Sequence, residues 1–167
     1  MHWIQVVIGP LETLTAARRE LPAAVVCPLR QGFALIPITD EVEAALRVRG
    51  DQALAVRPHS GEIAFGVARL AAELSEAGPI VYAATYIHGG TGGQDAIAWL
   101  GGQVVINLGD DEDAMSPWPD SPISRVLRHV GVVAAEGEDE FDALGLGNHR
   151  SNEAWAKEAA LDGAQGG

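Results

Sequence analysis

The most chemically suggestive stretch of the chain is a run of glycines and small polar residues between two apolar segments. It reads HGGTGGQD and covers residues 88–95. Glycine-rich loops bind phosphate when they lead from a strand into a helix N-terminus, whose free amides hold the anion. Here both flanking segments have strand composition, the Gly-Lys-Ser/Thr ending is missing, and no Lys or Arg occurs between positions 70 and 120. The pattern favours the turn of a β-hairpin.

A ligand or partner could still lie against the bare backbone of this glycine-rich segment, because glycines in a strand often mark a close approach. In that case His88, Thr91, Gln94 and Asp95 would supply the polar contacts. This alternative describes a small enzyme or ligand-binding domain that uses residues 88–95.

A second candidate is the acidic run formed by Asp110, Asp111, Glu112 and Asp113. Hard cations bind clustered carboxylates, but calcium loops alternate their ligands with spacer residues and place a glycine at the turn. Four consecutive acidic side chains point in different directions. The run therefore favours a solvated acidic loop over a metal site.

Trp118 follows the acidic run and stands between Pro117 and Pro119. No helical or strand pattern includes it, which leaves two interpretations. Trp118 could fold back over the sheet and close the core. Alternatively it could anchor a partner, since tryptophan is enriched at binding hot spots, while the acidic run steers a basic partner toward it.

The other residue types give no catalytic or metal-binding pattern. The histidines lack metal-ligand spacing, no Gly-x-Ser-x-Gly sequence is present, and the single cysteine, Cys27, lies in an apolar run. We therefore predict no tightly held metal, no nucleotide and no cofactor, and we favour a non-catalytic protein over an enzyme.

The charge balance excludes several classes of partner. The chain has 23 acidic and 11 basic residues and a net charge of −12. Of this charge, −3 lies in residues 1–100 and −9 in residues 101–167. Nucleic acids and anionic membranes need a basic surface, which this chain lacks. The acidity either attracts a basic protein or serves only to keep the chain soluble. No apolar run is long enough to span a bilayer and the first residues lack signal-peptide features, so we expect a cytoplasmic location.

Hydrophobic spacing predicts the element order β-α-β-β-α(α)-β-β-β-α. The strands include AAVVCPL and FALIPIT, with RQG as a tight turn between them. We expect Asp40 and Ser60 to begin the two central helices, and Ser121 to cap a later one. The prediction is a single α+β domain over residues 1–162 with a disordered tail at 163–167. Its sheet is mainly antiparallel with about five or six strands and helices packed on it, and its first part has the split βαβ order of ferredoxin-like folds.

Three features together resemble uncharacterised bacterial proteins of the immunity, or toxin-neutralising, type. They are the glycine-rich segment that ends in Gln94 and leads to Trp99, the later helix PISRVLRHVGV, and the segment DEFDALGLGNHRSNEAW. The resemblance covers roughly residues 80–156 and implies no catalytic residues. It implies an acidic inhibitor that binds a basic toxin or nuclease domain, for which a negative surface would raise the association rate.

Overall fold

The fold is built on one antiparallel sheet of six strands in the part of the chain that the computed structural model describes, residues 2–49, 56, 58–59, 62–89, 91–110 and 117–165. The strands are β1 (His2–Pro10), β2 (Cys27–Pro28), β3 (Phe33–Pro37), β4 (Ile80–His88), β5 (Thr91–Leu100) and β6 (Gln103–Gly109). Their order in the sheet is β2-β3-β1-β4-β5-β6, and every neighbouring pair is antiparallel. The first four strands have the ferredoxin-like order, so the predicted α+β fold is confirmed.

Helices cover both faces of the sheet. The first face carries α1 (Leu11–Ala17), α2 (Asp40–Arg49) and α3 (Val67–Leu74), and the second carries α4 (Pro122–His129), α5 (Glu140–Leu144) and α6 (Asn152–Gln165). The last turn of α6 overlaps the segment predicted as a tail.

The central strands are apolar on both sides because each face of the sheet is covered. In β4, Tyr82 packs toward α1–α3, whereas Val81 packs toward α4–α6. In β5, Trp99 likewise packs toward α1–α3, and Ala98 packs toward α4–α6. Successive side chains of a strand alternate between faces, so a nearly continuous apolar run is what a doubly covered sheet requires.

The glycine-rich segment is the β4–β5 hairpin, as its composition predicts. His88 pairs with Thr91, and Gly89 has the positive φ, +60°, that such a turn needs. Gly92 lies inside β5 with φ +133°, and a Cβ atom there would come 1.6 Å from the carbonyl oxygen of Tyr86. The backbone conformation therefore explains this glycine without a ligand.

Helix α3 begins later than the sequence suggests. It starts at Val67 and not near Ser60, which lies outside the described residues. Gly66 precedes the helix with φ +80°, and a Cβ atom there would lie 3.1 Å from the Cβ of Leu46. Ile63 stands before the helix but still packs, half-buried, on the core. The apolar spacing thus predicted the packing correctly and the helix start wrongly.

The N-cap of α2 is Thr39 and not Asp40. The Oγ1 atom of Thr39 accepts the amide hydrogen of Val42 at 3.3 Å, and its carbonyl oxygen accepts that of Glu43 at 3.0 Å. Asp40 lies within the first turn, where a negative charge still favours the helix dipole.

The two edges of the sheet differ. Strand β2 is only two residues long, shorter than AAVVCPL predicts, and it contains Pro28, which cannot donate to a further strand. Strand β6 has seven residues, QVVINLG, with no charge and no proline. Val104 and Val105 on β6 are exposed. The β2 edge is thus protected against strand addition, and β6 is not protected by its sequence.

Candidate functional site at the end of the central strands

The hairpin end of β4 and β5 is the region where the predicted site residues can be compared. Thr85 pairs with Gln94, Ala84 pairs with Asp95, and the first residue of β1, His2, pairs with Ile87. Because side chains alternate along a strand, Gln94 and Asp95 project to opposite faces.

Gln94 faces α4 and joins two parts of the chain. Its Oε1 atom accepts the backbone amide hydrogen of Ile123, in the first turn of α4, at 3.1 Å. Its backbone oxygen accepts the amide hydrogen of Asp110 at 3.1 Å. Both ends of residues 110–123 are therefore attached to one residue of β5. Ser121 reinforces the second end, because its Oγ accepts the amide hydrogen of Ser124 at 3.4 Å.

Asp95 is fully buried on the opposite face. Its Oδ1 atom accepts the backbone amide hydrogen of His59 at 2.8 Å, and the Nε2 atom of His59 donates to the carbonyl oxygen of Asn107 at 3.3 Å. His59 is thus bonded to Asp95 of β5 and to Asn107 of β6. On this face burial, together with a contribution from the Asp95 charge, raises the pKa of Tyr82 and of Tyr86.

His88 and Thr91 lie at the end of the hairpin. The His88 side chain is exposed. The backbone of Thr91 pairs with His88, and the Thr91 side chain lies outside what the structure describes. Of the four polar residues of the glycine-rich segment, two are thus buried between elements and His88 faces outward.

The acidic run begins inside the fold. Asp110 is only 3% exposed, so the expectation of a solvated side chain is wrong at this position. The hydrogen bond from its amide to Gln94 draws it against the end of β5. Asp111, Glu112 and Asp113 lie outside the described residues.

Trp118 is on the surface. Its side chain is 60% exposed, so the interpretation that it closes the core is wrong. The amide of Asp120 donates to the carbonyl oxygen of Pro117 at 2.9 Å, which closes a turn around Trp118 directly before α4. Asp120 also forms an ion pair at 3.4 Å with Arg128, which lies two turns along α4.

A pocket of about 400 Å³ opens beside Gln94 on the α4–α6 side of the sheet. Its lining joins the end of the sheet to the region around α5 and the segment before α6. The residues that line it are His2, Thr85, Ile87, Gln94, Phe141, Gly147 and Arg150. None of these residues is acidic, although the chain is strongly so. The other two pockets described for this chain are lined by glutamates, among them Glu73 and Glu76.

His2 has the most unusual surroundings in this pocket. Its Nδ1 atom lies 2.6 Å from the Oγ1 atom of Thr85, which also accepts the amide hydrogen of Ile4 at 3.2 Å. Its Nε2 atom is buried without a hydrogen-bond partner among the described residues. Burial, and next the nearby positive charge of Arg150, lower the pKa of His2. At neutral pH the ring is therefore mainly uncharged.

Arg150 is held beside β1 by its backbone. Its carbonyl oxygen accepts the amide hydrogen of Trp3 at 2.9 Å, and Ser151 forms a parallel bridge with Trp3. No carboxylate among the described residues forms an ion pair with Arg150. The lining of the pocket thus combines one arginine and one histidine with two neutral polar residues and an apolar wall.

Sequence reasoning identified Gln94 but missed His2, Thr85 and Arg150. These three residues are separated by more than sixty positions along the chain and come together only through strand pairing. Their only local signal is the placement of His2 just before a β-rich run, which does not predict a pocket.

The described part of the chain contains no cluster of three His, Cys, Asp or Glu side chains that could hold a metal ion. Nor does any helix in that part have the length and apolar character needed to cross a bilayer. No protein-family model, curated protein or solved structure matches the chain.

Proposed function

We propose that this chain is a non-catalytic binding domain for a basic protein. In its sharpest form the proposal is an immunity-like inhibitor of a basic toxin or nuclease domain. The observation that carries it is Trp118, a large aromatic side chain that is mostly exposed in a turn between two prolines. A tryptophan in such a position offers apolar area that is already ordered before a partner arrives.

Gln94 holds Asp110 and Ile123, the two residues that delimit the segment with Trp118, which supports a role in binding for this end of the sheet. The segment leaves β6 at Asp110 and returns to the same point of β5 through Ile123. Asp110 and Ile123 are therefore held at the same point of the sheet, and the turn that carries Trp118 comes directly before the second of these attachments.

The net charge of −12 supports a basic partner. Three-quarters of this charge, −9 of −12, lies after position 100, in the part of the chain that holds the acidic run and Trp118. A surface of one sign accelerates the approach of a partner of the opposite sign and rejects partners of the same sign. A cytoplasmic location forms part of this proposal and agrees with a sequence that has a single cysteine and so cannot form an internal disulfide.

Edge strand β6 supports protein binding independently of charge. It leads directly into the acidic run, its sequence has no charge and no proline, and Val104 and Val105 are exposed on it. His59 bonds to it at Asn107, near its C-terminal end. Such an edge can accept an additional strand from a partner through main-chain hydrogen bonds. The partner that fits this surface would offer an extended segment with basic residues beside it.

The test begins with the purified chain as bait for proteins of its own cell, followed by binding kinetics with the captured protein. Trp118→Ala should weaken binding by about 2 kcal/mol or more, roughly thirtyfold, and leave the melting temperature nearly unchanged. Trp3→Ala is the matched control, because Trp3 is also a mostly exposed tryptophan, at 56%. It should bind like the wild type.

Charge is tested by neutralising Asp111, Glu112 and Asp113 together. The association rate should fall, and the difference from the wild type should shrink at high salt. Equal binding by Trp118→Ala and the wild type would contradict the proposal. An acidic captured protein would contradict the electrostatic part of it.

The second candidate is a small ligand-binding domain or enzyme that uses the glycine-rich segment. The specific observation in its favour is that Gln94, from this segment, lines the pocket beside His2 and Arg150. We call it the acid-free pocket, because none of its lining residues is acidic. The two candidate functions differ in what the chain binds. The first requires a protein partner, and the second requires a small molecule that binds the isolated chain.

A further inference from the structure

The acid-free pocket contains two features that call for a ligand and that protein binding at Trp118 does not use. One is the buried Nε2 atom of His2, which has no hydrogen-bond partner among the described residues, and the other is Arg150, whose charge is close enough to act on His2. A buried polar atom without a partner costs stability, and in folded proteins such atoms usually reach water or a ligand.

We propose that this pocket binds a small organic carboxylate, with the carboxylate group between His2 and Arg150 and a short apolar body against Ile87 and Phe141. The proposal does not depend on the protein-binding function. It rests on the donors that the pocket offers, on the absence of acidic residues from its lining, and on its size.

The donors in the pocket suit an oxyanion. Arg150 offers several N–H groups in a planar fork and cannot lose its charge, so it binds carboxylates well. Gln94 and Thr85 also line the pocket and are largely buried, which fixes their positions. An acidic side chain in the lining would repel the ligand, and none is present.

The ring proton of neutral His2 can lie on either of its two nitrogen atoms. Thr85 has one hydroxyl hydrogen, and both the Nδ1 atom and the carbonyl oxygen of His2 lie within its reach, at 2.6 and 3.3 Å. If Thr85 donates to Nδ1, the neutral ring carries its proton on Nε2 and is a donor toward the pocket. If Nδ1 donates to Thr85, Nε2 becomes a donor only when the ring is protonated. A bound carboxylate selects the forms with a proton on Nε2.

The apolar part of the pocket sets the size of the ligand. The Phe141 ring lies 5.8 Å from the His2 ring, and Ile87 stands on the neighbouring strand. Gly147 contributes no side chain to the wall. A volume of about 400 Å³ lies in the lower part of the range for small-molecule sites. It leaves room for a single ring or a short branched chain beside the carboxylate group.

The experiment titrates benzoate into the isotopically labelled full chain and follows amide and histidine ring signals by NMR. Benzamide is the uncharged probe of the same shape, and inorganic phosphate is the anionic probe without an apolar body. We expect saturable shifts at His2, Gln94 and Phe141 with benzoate and about tenfold weaker binding of benzamide. Phosphate should bind more weakly than benzoate.

Arg150→Gln supplies the second measurement, because an exposed arginine can be replaced without loss of the fold. It should weaken benzoate about tenfold, whereas Arg125→Gln, at an exposed arginine of α4, should not change the affinity. The ligand should also raise the pKa of His2, since a negative charge stabilises the imidazolium.

The proposal fails if benzoate gives no saturable shifts at these residues, or if benzamide binds equally well. It also fails if phosphate binds in preference to benzoate, because the apolar wall would then play no part. Arg150→Gln with unchanged benzoate affinity would overturn the assignment of the carboxylate to this end of the pocket.

Discussion

Replacing Gln94 with alanine removes the side-chain acceptor that attaches the first turn of α4 to the sheet. The backbone amide of Ile123 is the group affected, and the Ile123 residue is fully buried. A buried N–H group that loses its acceptor costs about 1–3 kcal/mol. The Ser121 cap remains, so α4 should persist and the cost should not exceed this range. We expect the free energy of unfolding to fall by about 1–3 kcal/mol.

Urea denaturation at pH 7, followed by tryptophan fluorescence and circular dichroism, measures this loss. The matched control is Gln103→Ala, because Gln103 is an exposed glutamine on the adjacent strand β6. Its effect should stay within about 0.5 kcal/mol.

Gln94→Met distinguishes the hydrogen bond from packing, since methionine retains most of the volume but offers no comparable acceptor. If the bond to Ile123 carries the effect, methionine should be nearly as destabilising as alanine. Hydrogen exchange at the Ile123 amide should accelerate in both variants. Stability within 0.5 kcal/mol of the wild type in both would refute a stabilising attachment of α4 through the Gln94 side chain.

Four further predictions concern the fold. Leu70→Ala should cost about 2–5 kcal/mol in the same assay, because Leu70 is buried in α3 against the sheet. Gly92→Ala should cost about 3 kcal/mol or prevent folding, since its φ is +133° and a side chain would strike a strand carbonyl. Gly89→Asn should be nearly neutral, because φ is +60° there and the space is open. Hydrogen bonding to Arg128 lowers the pKa of Glu140 below its usual 4.5, so this carboxylate stabilises the fold above that pH and stops doing so as the pH falls through the lowered value. Glu140→Gln should therefore be less stable at pH 7, and denaturation followed from pH 7 to pH 3 should show a smaller loss on acidification.

Local sequence signals predicted the features that depend on a few consecutive residues. Gly32, in the tight turn predicted for RQG between β2 and β3, has a φ of +79°. Ser121 caps α4 with proline at the next position. In each case the backbone conformation is nearly determined by the residue types themselves, so no tertiary information was needed.

Local sequence signals could not predict features that depend on contacts between residues far apart in the chain. Gly66, directly before α3, has a φ of +80° and lies close to Leu46, a contact that spacing along the helix cannot reveal. The exposure of Trp118 depends on the turn that Pro117 and Asp120 close, and its sequence context fitted both a core and a surface position. Gln94 looked like a contact residue because it follows glycines, whereas its hydrogen bonds lie within the fold.

The two proposed ligands have opposite charges, which makes salt dependence a means of separating them. A basic partner approaches a chain of net charge −12 with electrostatic assistance, so its affinity should fall as salt screens the attraction. A small carboxylate must approach the same chain against repulsion and is attracted only within reach of Arg150 and His2. Moderate salt screens the long-range repulsion more than the short-range contact, because a contact of a few ångströms lies well inside the Debye length. The carboxylate affinity should therefore respond weakly to salt, or rise slightly, under conditions that weaken the basic partner. Parallel losses of affinity would mean that both ligands bind through the same long-range field, and that the pocket contributes no local selectivity of its own.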